Sequence, residues 1–574
     1  MYITGHVPFG DGGTLIRVET DIRRGIPGID VSGLAEGAVR EARERVRAAF
    51  RNSGLAFPLD RVLINLAPAG VRKESAALDL PIALSVMAAA GLVPGMAALP
   101  EQLMVLGELE LSGRVRPVRG VLAAAAAGLA GGIRFFIVPR ENEEEVAVLL
   151  DRSGTADPAG DAACTAKGGI HLAAVSGLDE AAHALVLLTG EGSFPPRFHT
   201  TVRGWAGAND GAFTCGDFAE VRGQDRCKRA LEIAAAGGHN LLVFGAPGAG
   251  KTMLARRLPS IMAPLTPEEA VEVTRLHSLA GRLGPDSGEQ ALGLEAGFLE
   301  GGFSLIRRPP FRSPHHSASA EGVLGGGRTV RPGEISLAHF GVLFLDEAPE
   351  FKTNVLQALR EPLEDRVLTI VRAEGPVKLP ADFQLVMAAN ACPCGRLGAR
   401  GPVYGDDIPG DSPAGGCFCS PEEIYRYWRK FGGALLDRVE LRVPVAADGI
   451  YGKPARAESS ESIRSRVMGA VDIQRRRFAK AGGKAGGLGV RRNARMTPAQ
   501  IEAFCVMTEA ADRAFRAAAE RLAFSGRACH GVLRTARTIA DLAGTECIGG
   551  DHILEAVQHR RLGDDPYDVL GESP

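Results

Sequence analysis

The pattern of apolar and polar positions divides the chain into three stretches. Up to about residue 190, short β-rich runs alternate with helical ones. Arg61-Val62-Leu63-Ile64-Asn65-Leu66 predicts a strand. Over residues 38–51, Val39, Ala42, Val46 and Ala49 recur at helical spacing with Arg and Glu on the other face, which predicts an amphipathic helix. Residues 79–90 predict an apolar helix with Pro81 in its first turn. The Ala-rich run 121–129 is too short to cross a membrane and reads as a buried helix. From about 215 to 445, strands and helices alternate as in an α/β nucleotide-binding core. From about 458 the periodicity is helical almost throughout and predicts a helical lid.

Gly, Pro and small polar residues mark the joints. They place a linker at 191–212, a surface loop at 151–169, a Gly/Pro/Asp stretch at 395–416 and a Gly-rich loop at 481–489. The expected domains are therefore 1–190, 213–450 with a Cys-rich loop at 392–419, and 451–574.

Chemistry is densest in the middle stretch. Gly245-Ala246-Pro247-Gly248-Ala249-Gly250-Lys251-Thr252 matches G-x-x-x-x-G-K-[ST] in full. Leu241-Leu242-Val243-Phe244 reads as a strand before it, and Met253-Leu254-Ala255-Arg256 as a helix after it. That context turns the pattern into a phosphate-binding loop. The glycines let backbone N–H groups converge on phosphate oxygens, Lys251 adds charge at the β/γ-phosphates, and Thr252 offers a hydroxyl to Mg²⁺. Val342-Leu343-Phe344-Leu345 is an apolar strand ending in Asp346-Glu347, placed to hold Mg²⁺ and to orient an attacking water respectively. Asn390 ends a second apolar strand, 385–389, where an amide can position water beside the γ-phosphate; a turn-forming Asn is the alternative. ATP and Mg²⁺ are the expected ligands.

Composition narrows the class. Hydrophobic residues make up 45% and charged residues 23%, ordinary for a globular protein rather than a disordered one. Lys+Arg 66 against Asp+Glu 68 gives a net charge of -2, so any nucleic-acid contact must come from a local patch. No apolar run approaches the ~18 residues of a spanning helix, and the N-terminus lacks signal-peptide character, so a cytoplasmic location without membrane contact is expected. Ten cysteines are too few for a disulfide scaffold in 574 residues. Four of them, Cys392, Cys394, Cys417 and Cys419, form two C-x-C pairs around the Gly/Pro loop. Four thiolates can hold a structural Zn²⁺; small buried apolar groups are the alternative.

A basic stretch, 453–495, carries twelve Lys/Arg against three Asp/Glu. Arg475-Arg476-Arg477 is its densest part. Such clusters bind phosphate backbones by releasing counterions, although a solvated helix face has the same composition. Residues 367–372 and 377–379 flank Ala373-Glu374-Gly375-Pro376 as a β-hairpin with Arg372 and Lys378 near its tip. A segment over 311–327, with Arg312, His315 and His316, is a candidate second projecting element.

Several long strings make the chain recognisable. They are Arg229-Ala230-Leu231-Glu232-Ile233-Ala234-Ala235-Ala236-Gly237-Gly238-His239-Asn240, Phe311-Arg312-Ser313-Pro314-His315-His316-Ser317, Pro332-Gly333-Glu334-Ile335-Ser336-Leu337-Ala338-His339, and Ala536-Arg537-Thr538-Ile539-Ala540-Asp541-Leu542. On these the chain resembles, nearly end to end, the ComM/YifB family of Mg-chelatase-like AAA+ ATPases. The resemblance implies an AAA+ P-loop core, a helical lid, and self-association as a hexameric ring with ATP between subunits. It makes Arg438, in Leu435-Leu436-Asp437-Arg438, the arginine finger acting on a neighbour's ATP. It also makes Arg527, or Arg534 two helical turns on, the second sensor. Ala391 departs from the proline usual after the sensor Asn, and Phe431-Gly432-Gly433-Ala434 departs from the usual Leu-Ser-Gly-Pro.

The N-terminal stretch resembles the family's Lon-protease-like domain (S5 domain 2-like, α+β) through Gly25-Ile26-Pro27-Gly28, Leu66-Ala67-Pro68-Ala69 and Arg116-Pro117-Val118-Arg119-Gly120. Where Lon-type proteolysis needs a Ser nucleophile and a Lys base, this chain has Asp79 and Leu122, so a non-catalytic domain is expected. The implied activity is that of an ATP-dependent DNA motor, a branch-migration helicase acting on single-stranded or branched DNA in recombination and natural transformation. In such a motor the hairpin would project into the ring's pore. A chelatase-type motor remodelling a protein partner is the alternative, and the N-terminal domain is expected to argue against it. An unfoldase feeding a protease is weakened by the missing Ser–Lys pair.

Overall fold

The computed structural model describes residues 2–10, 12–33, 36–68, 76–93, 101–152, 170–189, 216–283, 297–299, 302–327, 330–372, 375–397, 417–445, 457–480 and 491–561. The expected linker 191–212, the loop 481–489 and most of 151–169 and 395–416 lie outside them.

The N-terminal part is an α/β unit built on a seven-stranded mixed sheet. Its strand order is Gly28–Ser32, Arg61–Ala67, Thr14–Arg23, Tyr2–Val7, Leu103–Val105, Phe135–Pro139, His171–Val175. Along Arg61–Ala67, buried and exposed positions alternate strictly, because one face of the strand meets the core and the other meets water. Val62, Ile64 and Leu66 point inward into the same apolar core as helix Asp79–Ala89. The Ala-rich run is the buried helix Val121–Ala130, entered through a left-handed Gly120. The amphipathic helix spans Glu36–Asn52.

The central part holds a five-stranded parallel sheet in the order Phe311–Arg312, Val342–Leu345, Gln384–Ala389, Leu241–Gly245, Leu441–Val445. Three of these strands are fully buried and, apart from Gln384, free of polar side chains, as expected for a parallel sheet covered on both faces. The order decides the site. The strand ending before Asn390 lies between the phosphate-loop strand and the strand ending before Asp346, so all three carboxyl-terminal tips open on one edge.

The C-terminal part is helical. Helices Ser460–Lys480 and Gly526–Leu542 pack on Asp225–Gly237 of the core, and Gly550–Arg561 packs on Gly526–Leu542. Polar contacts pin the junction. His239 Nε2 lies 2.8 Å from Thr538 Oγ1, and Gln474 Nε2 donates to the Ala236 carbonyl at 3.1 Å. No helix among the described residues is long and apolar enough to cross a membrane.

Three expectations change. The segment 311–327 is not a free projection. Phe311–Arg312 is the edge strand of the central sheet, and Arg312 is buried, held by both Glu334 oxygens at 2.6 and 2.9 Å. The hairpin is real, with strands Val367–Arg372 and Gly375–Pro380, but pairing continues to Arg372 opposite Gly375. Arg372 therefore ends its strand, whereas Lys378 pairs with Thr369 halfway along the ladder and is not at the tip. The densest part of the basic stretch, expected to meet nucleic acid, is only partly free to do so. Arg477 is committed to the buried Asp541, and Arg475 turns toward Asp472 (3.8 Å) and the Pro264 carbonyl (3.5 Å). Arg476 and Lys378 stay exposed.

Candidate functional site

Leu241–Gly245 delivers the chain into the loop, and helix Lys251–Ile261 leaves it. Three loop glycines adopt positive φ: Gly245 (155°), Gly248 (76°) and Gly250 (88°). At Gly245 a Cβ would lie 2.1 Å from the Val445 carbonyl oxygen, so only glycine lets this turn sit against the neighbouring strand. Ala246 and Ala249 flank the turn, and Pro247 and Gly248 form its exposed crest.

Lys251 is buried and folds back into the loop. Its Nζ donates to the Gly245 carbonyl (3.0 Å), the Ala246 carbonyl (2.8 Å) and Asn390 Oδ1 (3.1 Å). Burial pulls its ammonium below the usual lysine range, while Asp346 and Glu347 pull in the opposite direction. Thr252 Oγ1 donates to Asp346 Oδ2 at 2.8 Å. Two side chains of the phosphate-loop helix are thus tied to the ends of the two adjacent strands. A carboxylate and a hydroxyl in contact form an oxygen pair suited to a hard divalent cation such as Mg²⁺.

Glu347 turns away in a left-handed conformation (φ 49°) just after its strand and is exposed. His316 Nδ1 lies 3.6 Å from Glu347 Oε2. Sequence reasoning did not attach His316 to this site. The parallel pairing of Phe311–Arg312 with Val342–Leu343 carries the residues after one strand alongside the residues after the other.

Arg438 lies apart from the phosphate loop of its own chain. Its guanidinium donates to the Ala434 carbonyl (2.6 Å) and meets Glu364. Arg527 donates to the other oxygen of Glu364 at 2.8 Å, so these two arginines are brought together. Arg534 is half-buried and points elsewhere, donating to the Met496 carbonyl.

Cys392, Cys394, Cys417 and Cys419 converge, with all four Sγ atoms within 4.8 Å of one another. Three of the separations are 3.3, 3.5 and 3.6 Å. Sulfurs about 2.3 Å from a tetrahedral centre sit roughly 3.7 Å apart, so the thiols fit such an ion. The Leu397 N–H donates to Cys392 Sγ at 3.3 Å. Gly395, in the turn after the first pair, packs on the phosphate loop; a Cβ there would lie 2.5 Å from Pro247 Cγ.

At the position expected for a Lon-type nucleophile, Asp79 is buried and gripped by Arg45 at 2.7 and 3.2 Å. Leu122 is fully buried in apolar packing.

Comparison with known proteins places this site in context. Family models described as magnesium chelatase subunit ChlI, subunit ChlI of Mg-chelatase, and magnesium chelatase subunit ChlI C-terminal match residues 217–450, 18–142 and 457–560 respectively. Protein YifB of Salmonella typhimurium is 37% identical over 552 residues, covering 95% of this chain and 94% of its own. Competence protein ComM of Haemophilus influenzae is 34% identical over 552 residues, covering 96% and 95%. A Lon protease of Salinispora arenicola is 29% identical over 150 residues, 25% of this chain and 19% of its own.

Proposed function

Because the chain belongs to the magnesium-chelatase ChlI-like family that includes YifB and ComM, we propose that it is an ATP-hydrolysing ring motor that translocates on DNA. Membership supports nucleotide-driven motor activity. The observation that carries the ATP-hydrolysing part of this reading is the linked pair of contacts, Lys251 to Asn390 and Thr252 to Asp346, across the tips of neighbouring strands.

The roles follow from chemistry. Lys251 exchanges its three oxygen partners for β- and γ-phosphate oxygens. Thr252 and Asp346 would hold Mg²⁺, which when bound neutralises charge on the phosphates. Glu347 accepts the proton of the attacking water, and Asn390 orients that water. Arg438 acts from the neighbouring subunit of a hexameric ring, where a fixed guanidinium offsets charge on the transferred phosphoryl group.

The DNA substrate rests on the likeness to a competence protein and on the hairpin, with Arg372 at its end and Lys378 exposed on its ladder. Branch migration in recombination and natural transformation is the activity this supports. The N-terminal part is read as a Lon-like domain without protease chemistry, since an acid gripped by Arg45 and a leucine occupy the two positions. The cysteine cluster is read as a structural Zn²⁺ site. The domains are read as 1–190, 213–450 and 451–574.

One observation favours a second reading, a chelatase-type motor acting on a protein partner. A model for subunit ChlI matches residues 18–142, so the N-terminal part does not separate this chain from the chelatase as its sequence suggested. ATP turnover with and without single-stranded and branched DNA distinguishes the two. Stimulation by DNA supports the DNA motor, and indifference supports the chelatase-type reading. Branch migration that survives intact in Lys251→Ala would overturn the motor reading altogether.

A further inference from the structure

A cleft opens on the opposite edge of the central sheet from the phosphate loop. Its floor is Gly238, Gly341 and Gln384, which lie at the amino-terminal ends of strands whose carboxyl-terminal ends carry the phosphate loop, Asp346 and Asn390. Four arginines from two separate segments line it: Arg366 from the end of helix Arg360–Asp365, and Arg491, Arg492 and Arg495 from the segment leading into the C-terminal helices.

The charges there do not balance. Two arginines have carboxylates. Arg491 pairs with Glu269 at 2.7 Å and lies over the Phe340 ring at 5.6 Å. Arg495 pairs with Asp382 at 2.9 Å and donates to the Phe383 carbonyl at 2.7 Å. The other two have only backbone carbonyls. Arg366 donates to the Arg495 carbonyl at 3.2 Å, and Arg492 to the Ala236 carbonyl at a marginal 3.5 Å. Among the described residues, neither has a carboxylate within ion-pair distance. Burial pushes both guanidiniums down, Arg492 to about 10, despite the more distant Glu269 and Asp382. Partly buried cations without counter-charge are costly, and an anion that brings its own oxygens relieves that cost.

We propose that this cleft is a phosphoryl-anion site, with Arg366 and Arg492 as its principal ligands. Guanidinium forks match the oxygens of a phosphoryl group in pairs, and two forks lining one cleft suit a group carrying several equivalent oxygens. Arg491 and Arg495, already held by carboxylates, fix the walls. The ligand arrives either as a free phosphate or polyphosphate, or as the backbone phosphate of a nucleic acid. The site does not use the phosphate loop and stands whether or not the motor reading holds.

The test is calorimetric titration of the full chain with pyrophosphate. The wild type is expected to show two classes of site. Lys251→Ala should lose one and keep the other. Arg366→Gln with Arg492→Gln should weaken the second about tenfold or more, because two charge-assisted contacts are lost, and should leave the first intact. Each single variant, and Arg492→Lys, which retains charge but lacks the fork, should fall between. These guard against misfolding of the double variant, and a near-wild-type melting temperature confirms each fold. Competition then assigns the source: displacement of pyrophosphate from Lys251→Ala by single-stranded DNA supports a backbone phosphate, and no displacement supports a free phosphate. Absence of pyrophosphate binding in Lys251→Ala, or binding there that is unchanged by the Arg366 and Arg492 substitutions, would overturn the proposal.

Discussion

Arg438 and Arg527 reach opposite oxygens of one carboxylate, Glu364, although they lie 89 positions apart in the chain (527 minus 438). Two cations held by one acid lie side by side. If Arg438 serves the ATP of a neighbour, Arg527 travels with it and serves that same ATP. Mixing experiments test this. Arg438→Ala and Lys251→Ala are each expected to lose ATP turnover, by about 10³-fold or more for the finger. Mixed rings should recover activity where an intact Arg438 on a Lys251→Ala subunit faces an intact phosphate loop. Arg527→Ala should be rescued by Lys251→Ala in the same way. Rescue of Arg438→Ala without rescue of Arg527→Ala would assign Arg527 to its own subunit's nucleotide.

Glu347 and His316 give a second test. Glu347→Gln should retain ATP binding and lose turnover by roughly 10²–10⁴-fold, the range for removing a general base. His316→Ala removes only a neighbour 3.6 Å from that carboxylate, so a smaller fall in kcat with unchanged KM is expected. Steady-state ATPase measurements on the assembled protein separate the two. Equal losses from both substitutions would make His316 as necessary to the chemistry as Glu347 itself.

Legibility in the sequence tracked the span over which each feature is encoded. The phosphate loop, the apolar strand before Asp346 and the strand before Asn390 are contiguous strings whose backbone context is local, so both the core class and the residues of the candidate site could be read. The cysteine pairs were readable because C-x-C places two sulfurs within reach of one centre. Features that depend on strand order were not readable. His316 meets Glu347 only because two parallel strands are neighbours. Arg477 looked like part of a basic belt because its partner, Asp541, lies 64 residues away on another helix. Lys378 was placed at a hairpin tip because local turn chemistry does not fix where pairing stops. The arginine cleft needs residues from separate segments to be folded together before any charge imbalance exists.

The cysteine cluster should be coupled to nucleotide affinity through Gly395. A side chain there would collide with Pro247, and the residue holds φ at 75°, so Gly395→Ala is strained both in its own backbone and against the phosphate loop. About one zinc per chain is expected by elemental analysis, falling in Cys417→Ser. Metal removal and Gly395→Ala should each weaken ATP binding several-fold while leaving the secondary structure content nearly unchanged. Full metal loss with unaltered ATP affinity would confine the cluster to a local structural role.

Glu145 supplies the pH dependence. It lies on helix Glu143–Arg152 of the N-terminal part and is 7% exposed. Its Oε2 accepts from Ser278 at 3.2 Å, on helix Pro267–Leu279 of the core, and its Oε1 lies 3.4 Å from Asn142 Nδ2. Burial raises its carboxyl from 4.5 to about 7, more than the two hydrogen bonds lower it. A raised acid favours the folded state most when both states are protonated. The stabilisation is therefore full below pH 4.5, declines as the unfolded chain ionises and the folded one does not, and is lost once pH passes about 7. The change is on the order of 3 kcal/mol. Because the group sits where the two parts meet, the loss should appear first as loosening of that junction, measured as faster hydrogen exchange in Glu143–Arg152 and Pro267–Leu279 at pH 8 than at pH 6 after correction for intrinsic rates. Glu145→Gln keeps a neutral amide of the same shape and should remove most of this difference. A corrected difference of equal size in Glu145→Gln would assign the pH dependence to another group.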